Sequence, residues 1–402
     1  MSIKNPIIAV THGDTNGIGY EMILKSFSDN TLLEMFTPIV YGSPKVAAYH
    51  RKAIDIPANF SIISDVNDCH NNRFNLLTTF EEEVKVELGS PSAEAGEAAF
   101  KALQHAVADL KDEKVNALVI SPANNTMMQS ENYRFDSEKT YIEVQTDMKG
   151  KGLLMRIIDD LRIAMLTDHQ PLRNVSSVLT EEYLIEKLQL LHNTLRRDFG
   201  IDDPRIAVLS LNDCDANGYF YGDEEAQIIV PVVDRMNEKG MKIYGPYPTS
   251  DLFRQLGTNA YDAVLAMYEG QVETATQLFT DHVGCLYVAG LPHVVTLVDN
   301  GTDYNVAGEN LTESLPLHQA LYAAIDILRH RTAYDEGHAN PLQKLYHERR
   351  DEGEKVRFAI PPARRFNNNE RNDDNGVDDT PKSNEEGFND NTTDNNPGQG
   401  DA

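Results

Sequence analysis

Ile7-Ile8-Ala9-Val10-Thr11-His12-Gly13-Asp14-Thr15-Asn16-Gly17-Ile18-Gly19-Tyr20-Glu21 reads as a short apolar strand, a glycine-rich turn and the start of a helix. That succession is the unit from which α/β proteins with a largely parallel sheet are built. Taken alone the glycines are a weak signal, because they serve a tight turn as readily as a ligand. Asp14 reads as a cap for the following helix or as an active-site carboxylate.

Outward from this unit the same alternation recurs. Pro38 to Tyr41, Ala117 to Ile120, Ile163 to Leu166, Ile206 to Leu211 and Ala263 to Met267 read as buried strands. Ser92 caps a helix with the stripe Ala99, Leu103, Ala106 and Leu110, and Thr180 caps one with Leu184, Leu188, Leu191 and Leu195. Leu315 to Arg331 is the last strong amphipathic helix, and no repeat of solenoid period occurs. The expected organisation is a first α/β domain from 1–130 plus 300–345, a second from 131–299 carrying a dimer interface, a weakly ordered linker over 346–366 and a tail over 367–402. The tail holds ten acidic residues, two basic ones and ten Asn. With almost nothing apolar to bury, it reads as a disordered acidic segment.

The 402 residues carry 36 Lys plus Arg against 63 Asp plus Glu, a net charge of −27. That balance argues against a partner held mainly by phosphate neutralisation, nucleic acid above all. Three unpaired-looking cysteines, Cys69, Cys214 and Cys285, give neither a disulfide framework nor a zinc knuckle and fit a cytoplasmic protein. No apolar run approaches the ~18 residues of a membrane helix, and the N-terminus lacks a signal-peptide core.

Several motifs carry a resemblance. The opening stretch resembles the T-x-G-D-P-A-G-I-G-P-E of the 4-hydroxythreonine-4-phosphate dehydrogenases, the PdxA family. In the family's order follow Ser92-Ala93-Glu94-Ala95-Gly96, Ser121-Pro122-Ala123-Asn124, His169-Gln170-Pro171-Leu172-Arg173-Asn174-Val175, Val264-Leu265-Ala266-Met267-Tyr268 and Asp299-Asn300-Gly301-Thr302 running to Ala307-Gly308. The resemblance spans Ile7 to Arg329. It implies a two-domain α/β homodimer with the isocitrate/isopropylmalate dehydrogenase-like fold. It also implies oxidation of a secondary alcohol by NAD, with a divalent metal as Lewis acid and loss of carbon dioxide from the product. Three histidines, shared across the dimer interface, hold that metal in the family.

This chain departs from the pattern at the site. His169 keeps the first histidine position, whereas the other two fall on Cys214 and Glu269, and the following Asp falls on Gly270. His, Cys and Glu are all competent ligands and would suit zinc if they converge. The family's H-T pair falls on Glu138-Lys139, which makes Lys139 a catalytic candidate beside Asp14. Its Lys, Asn and Arg fall on Gln277, Leu286 and Val295, and a further Lys on Asn125, so the contacts a phosphate needs are missing. Asn300, Gly301, Thr302, Asp303 and Gly308 stand where the family wraps the adenosine end of NAD. Three readings stay open: the family's own reaction, a dehydrogenase for an unphosphorylated substrate, and a non-catalytic paralogue with a binding or scaffolding role.

One signal is independent of any family. Asp213-Cys214-Asp215-Ala216-Asn217-Gly218-Tyr219-Phe220-Tyr221-Gly222-Asp223-Glu224 matches a calcium loop, with Asp213, Asp215, Asn217 and Glu224 as oxygen ligands. Calcium there would draw Cys214 away from a zinc site, so the two metal readings exclude one another.

Overall fold

The computed structural model describes residues 5–80, 83–255, 260–279 and 284–340. The expected linker over 346–366 and tail over 367–402 lie outside the described residues. Among the described residues, twelve strands form one sheet. They are β1 (Ile7–Thr11), β2 (Thr37–Gly42), β3 (Ser61–Ile63), β4 (Asn75–Thr78), β5 (Ala117–Ile120), β6 (Leu153–Ile158), β7 (Leu161–Met165), β8 (Arg205–Leu209), β9 (Lys242–Tyr247), β10 (Ala263–Ala266), β11 (Cys285–Ala289) and β12 (Val294–Val298). The strand order is β3-β4-β2-β1-β5-β12-β11-β6-β7-β10-β8-β9.

Side chains alternate across the sheet as strand geometry requires. Ile8 and Val10 of β1 enter one core layer, under the helices Gly19–Ser26, Glu181–Phe199 and Leu315–His338, while Ala9 enters the other, under Ala93–Lys111. The first block, β3 to β12 in that order, is wholly parallel, and so is the block β7-β10-β8-β9. Between them β11 pairs antiparallel with β12 and β6, and β6 with β7. The second parallel block therefore runs opposite to the first. β12, at the end of the expected second domain, pairs with β5 of the expected first, so one sheet runs through both.

The two caps read from sequence form as expected. Ser92 Oγ accepts from Ala95 N at 3.2 Å and Thr180 Oγ1 from Tyr183 N at 3.2 Å. Both leucine and alanine stripes are buried. One polar network lies inside the core. Arg331 donates to both carboxylate oxygens of Asp198 at 2.7 and 3.2 Å and to Tyr287 Oη at 2.8 Å, all three side chains being under 9 % exposed. It pins Leu315–His338 to Glu181–Phe199 and β11.

Candidate active site

The first of two loop clusters gathers at the carboxyl ends of β1, β5 and β12. The turn after β1 is packed so closely that side chains have no room. Gly13 has φ +75°, and a Cβ there would lie 2.3 Å from Pro122 O, the oxygen that accepts from Asp14 N at 2.9 Å. A Cβ on Gly17 would meet Thr302 O at 2.8 Å. Ile18 N donates to that same oxygen at 3.2 Å, which docks the loop Asp299–Gly308 onto the turn. Glu21 holds the far end of that loop, accepting from Gly308 N at 3.3 Å and Thr312 N at 3.1 Å.

Asp14 does not cap the following helix. Its Oδ1 accepts from Asn16 N at 2.8 Å, closing the turn on itself, and Oδ2 accepts from Tyr304 Oη at 2.8 Å. Tyr304 Oη also accepts from Asn124 Nδ2 at 3.2 Å, so three loops meet at one hydroxyl. Burial raises the Asp14 carboxyl above its ordinary range. Burial, then the hydrogen bond to Asp14, pushes Tyr304 up to about 12. Tyr304→Phe should leave the buried carboxylate one donor short and cost about 1.5–3 kcal/mol in urea unfolding, with the loop Asp299–Gly308 becoming sensitive to protease. A loss under about 0.5 kcal/mol would show that the hydroxyl does not hold the loop.

His12, wholly buried in the same turn, stacks on Tyr20 with centroids 4.9 Å apart. Neither ring nitrogen has a hydrogen-bond partner among the described residues, and burial lowers its pKa to about 3. The folded state thus keeps His12 neutral while the unfolded chain protonates below about 6.5. Stability should fall with pH from about 6.5 down to about 3, at about 1.4 kcal/mol per unit for this one group. His12→Phe, which keeps the stack, should flatten the slope by one proton between about pH 6 and 4.5; an unchanged slope would exclude His12 as its source.

In the loop Asp299–Gly308, Asp303 at φ 43° and Gly308 at φ 82° set the curvature. Asn300 Oδ1 is buried without a partner among the described residues. Asp299 is not free for a ligand. It receives Arg156 Nη2 at 3.0 Å, and Arg156 Nη1 also meets Glu273 at 2.7 Å, tying the loop to the helix Glu269–Phe279. Asn300 Oδ1 is thus an acceptor that no protein donor meets among the described residues, a group that a ligand's donor would satisfy.

The second cluster stands at the carboxyl ends of β7, β10 and β8, parallel neighbours that bring His169, Glu269 and Cys214 to one edge of the sheet. Gln271 ties two of these loops, accepting from Met267 N at 2.7 Å and donating to Ser210 O at 2.7 Å. Glu225 steadies the Cys214 loop by accepting from Leu211 N and Asn212 N, both at 2.8 Å. His169 has φ 49° and an exposed ring, and Glu269 is exposed as well. Among the described residues, no group of three His, Cys, Asp or Glu side chains is placed to hold a metal ion. The trio shares an edge but does not converge within one chain.

The calcium-loop ligands do not converge either. Cys214 bridges Phe220 in an antiparallel hairpin. Asp215 Oδ1 accepts from Asn217 N and Tyr219 N, Asp213 Oδ1 from Cys214 N, and Glu224 Oε2 from Asn212 Nδ2. These oxygens serve the hairpin's own amides rather than a common point.

Lys139 lies between Asp168 at 3.0 Å and Glu143 at 3.1 Å. Burial works against its charge, and the two carboxylates more than offset it, so the ammonium is held charged rather than offered as a base. Glu138, half-buried beside His169, is raised by burial. At the former phosphate positions, Val295 is buried in β12 and Leu286 stands in β11. Asn125 spends its amide on Phe135 O and Asp136 O. The Gln277 side chain lies outside the described residues. Sequence reasoning missed Tyr304, Arg156, Gln271 and Glu225; of these, only Tyr304 lies inside a motif quoted above, the stretch Asp299 to Gly308.

Comparison with known proteins places the chain in a family. The family model for "Pyridoxal phosphate biosynthetic protein PdxA" matches residues 34–324. A 4-hydroxythreonine-4-phosphate dehydrogenase from Bacteroides thetaiotaomicron is 42% identical over 87% of this chain and 96% of its own. A D-threonate 4-phosphate dehydrogenase from Cupriavidus necator is 29% identical over 82% of this chain and 100% of its own. Among solved structures, a 4-hydroxythreonine-4-phosphate dehydrogenase from Klebsiella pneumoniae superposes with TM-score 0.69 at 26% identity, covering 81% of this chain and 98% of that one.

Proposed function

This chain belongs to the PdxA family, and from that premise we propose that it is a dehydrogenase which oxidises a secondary alcohol with NAD carried on the loop Asp299–Gly308. The observation that carries the reading is the docking of that loop through Ile18, Tyr304 and Glu21, with Asn300 Oδ1 left free for a donor of the cofactor. NAD, when bound, supplies the hydride acceptor. Asn300 would orient it, Gly301 would leave the backbone open to it, and Asp14 with Tyr304 would hold Thr302 and Asp303 in place.

The homodimer is part of the proposal. A site that one chain leaves incomplete at His169, Cys214 and Glu269 needs a second copy if it is to hold a divalent metal, zinc by its donor chemistry. No step is assigned to such an ion. Lys139, held charged between two carboxylates, would position the His169 loop. An unphosphorylated substrate is favoured, because Leu286, Val295 and Asn125 offer no charge to a phosphate. Free thiols at Cys69, Cys214 and Cys285 suit the cytoplasm, and no helix among the described residues is long and apolar enough to cross a membrane.

A second reading, a non-catalytic dimeric paralogue, is favoured by the absence of any three-ligand group within the described chain. NAD titration followed by thermal melting separates the two, with zinc and calcium tested apart. At about a hundred times its dissociation constant, NAD should stabilise the protein by about 2.7 kcal/mol. No shift at millimolar NAD would leave the non-catalytic reading.

A further inference from the structure

Three of the chain's four Asn-Gly pairs lie among the described residues: Asn16-Gly17, Asn217-Gly218 and Asn300-Gly301. Such a pair is chemically labile, because a residue without a Cβ lets its own backbone nitrogen reach the preceding carboxamide carbon. A nitrogen already committed to a hydrogen bond must give that bond up first. The fold treats the three pairs differently.

Gly17 N is spent on Asp14 O at 3.2 Å. The wholly buried Asn16 carboxamide accepts from Glu87 N at 2.9 Å and donates to Ser90 O at 2.8 Å and to Ser92 Oγ at 3.1 Å. Asn217 and Gly218 are exposed, but Gly218 N donates to Asp215 O at 3.0 Å and Asn217 N to Asp215 Oδ1 at 2.8 Å, which locks the hairpin turn. Asn300-Gly301 has no such restraint. Gly301 is exposed, and its N meets no acceptor among the described residues. The Asn300 carboxamide makes no hydrogen bond there either. Nor does the backbone demand this glycine. A Cβ on Gly17 would lie 2.8 Å from Thr302 O, and Gly218 has φ +83°, whereas a Cβ on Gly301 would meet nothing nearer than Asp303 Oδ1 at 3.5 Å.

We propose that Asn300 is a self-modification site, where the chain slowly converts a neutral carboxamide of the loop Asp299–Gly308 into a carboxylate. Gly301 N forms a bond to Asn300 Cγ, the Cγ–Nδ2 bond breaks, and Nδ2 leaves as ammonia with the amide proton. One water then opens the cyclic imide at either carbonyl, giving aspartate or isoaspartate at this position. No electron is transferred and no other reactant is needed. The new charge stands beside Asp299, whose carboxyl already feels Glu273 and Glu269. Its consequence rests on the reading of this loop as the NAD loop, because a carboxylate there repels the cofactor's diphosphate.

The test is ageing of the full chain in warm, mildly alkaline buffer. Peptide mapping by mass spectrometry reads the conversion at all three asparagines, with the urea-unfolded chain as reference. In the folded protein Asn300 should convert at least about fivefold faster than Asn16 or Asn217, since each of those must first free a bonded amide. Unfolding should bring the three rates within about twofold of one another. Gly301→Ala, for which there is room, should slow conversion at Asn300 at least about tenfold. Equal folded-state rates at Asn217 and Asn300, a rate that Gly301→Ala leaves unchanged, or an intact Asn300 once the unfolded reference has converted would each overturn the proposal. NAD-induced stabilisation is read separately on fresh protein, aged protein and Asn300→Asp. It should be present in the first and largely lost in the other two. If fresh protein lacks it, the dehydrogenase reading falls while the modification stands on its mapped conversion; if Asn300→Asp keeps it in full, the consequence for the cofactor is overturned.

Discussion

Arg331→Met is expected to lower stability by about 3–5 kcal/mol, a fall in melting temperature of roughly 6–15 °C. The reason is the company Arg331 keeps. Its guanidinium donates to both oxygens of Asp198, to Tyr287 Oη, and to the carbonyls of Leu291 and Pro292. Methionine fills much of the volume but leaves the Asp198 carboxylate buried at 2 % exposure with no cation. Uncompensated burial of that charge dominates the loss. The double variant Asp198→Asn/Arg331→Met should cost less than the two single changes added together, because the stranded charge is gone. A cost below about 1 kcal/mol for Arg331→Met would mean that solvent reaches Asp198 and that the network does not hold the last helix.

Gly13→Ala is expected to cost about 2–5 kcal/mol and to abolish stabilisation by NAD. Two effects add. A φ of +75° places an alanine in the left-handed region, worth about 1–2 kcal/mol. The new Cβ would also stand 2.3 Å from Pro122 O, a backbone atom fixed by its hydrogen bond to Asp14 N. Overpacking against such an atom adds about 1–3 kcal/mol, since the turn can move only by breaking that bond. Gly218→Ala is the control. It shares a positive φ of 83° but has no heavy atom within 4 Å, so it should lose only about 1 kcal/mol. Equal losses in urea unfolding for the two variants would show that backbone conformation alone, and not the close approach to Pro122, fixes the turn.

Where a residue's partner lies within a turn or a helical period, the sequence could be read directly. Ser92 and Thr180 cap their helices because the acceptor and its amide are three residues apart. Leu184, Leu188, Leu191 and Leu195 are buried because their spacing puts them on one face. Reading failed where the partner is distant. Asp14 looked like a cap, yet its second oxygen belongs to Tyr304, 290 residues on. Six strands escaped notice, among them β11 and β6, whose antiparallel pairing interrupts an otherwise parallel order. The calcium pattern had the correct residue types at the correct spacing, but the hairpin's own amides use those oxygens.

By itself the sequence determined the alternation of strands and helices, the glycine turn after β1, the two loop clusters and the family, because each is written in local spacing or in ordered motifs. Only the tertiary structure decided which charges are paired: Arg156 is spent on Asp299 and Glu273, and Lys139 on Asp168 and Glu143. The physical reason is that an ion pair costs its desolvation wherever it forms and is kept only where strand order brings opposite charges within about 4 Å, a distance that no period in the chain encodes.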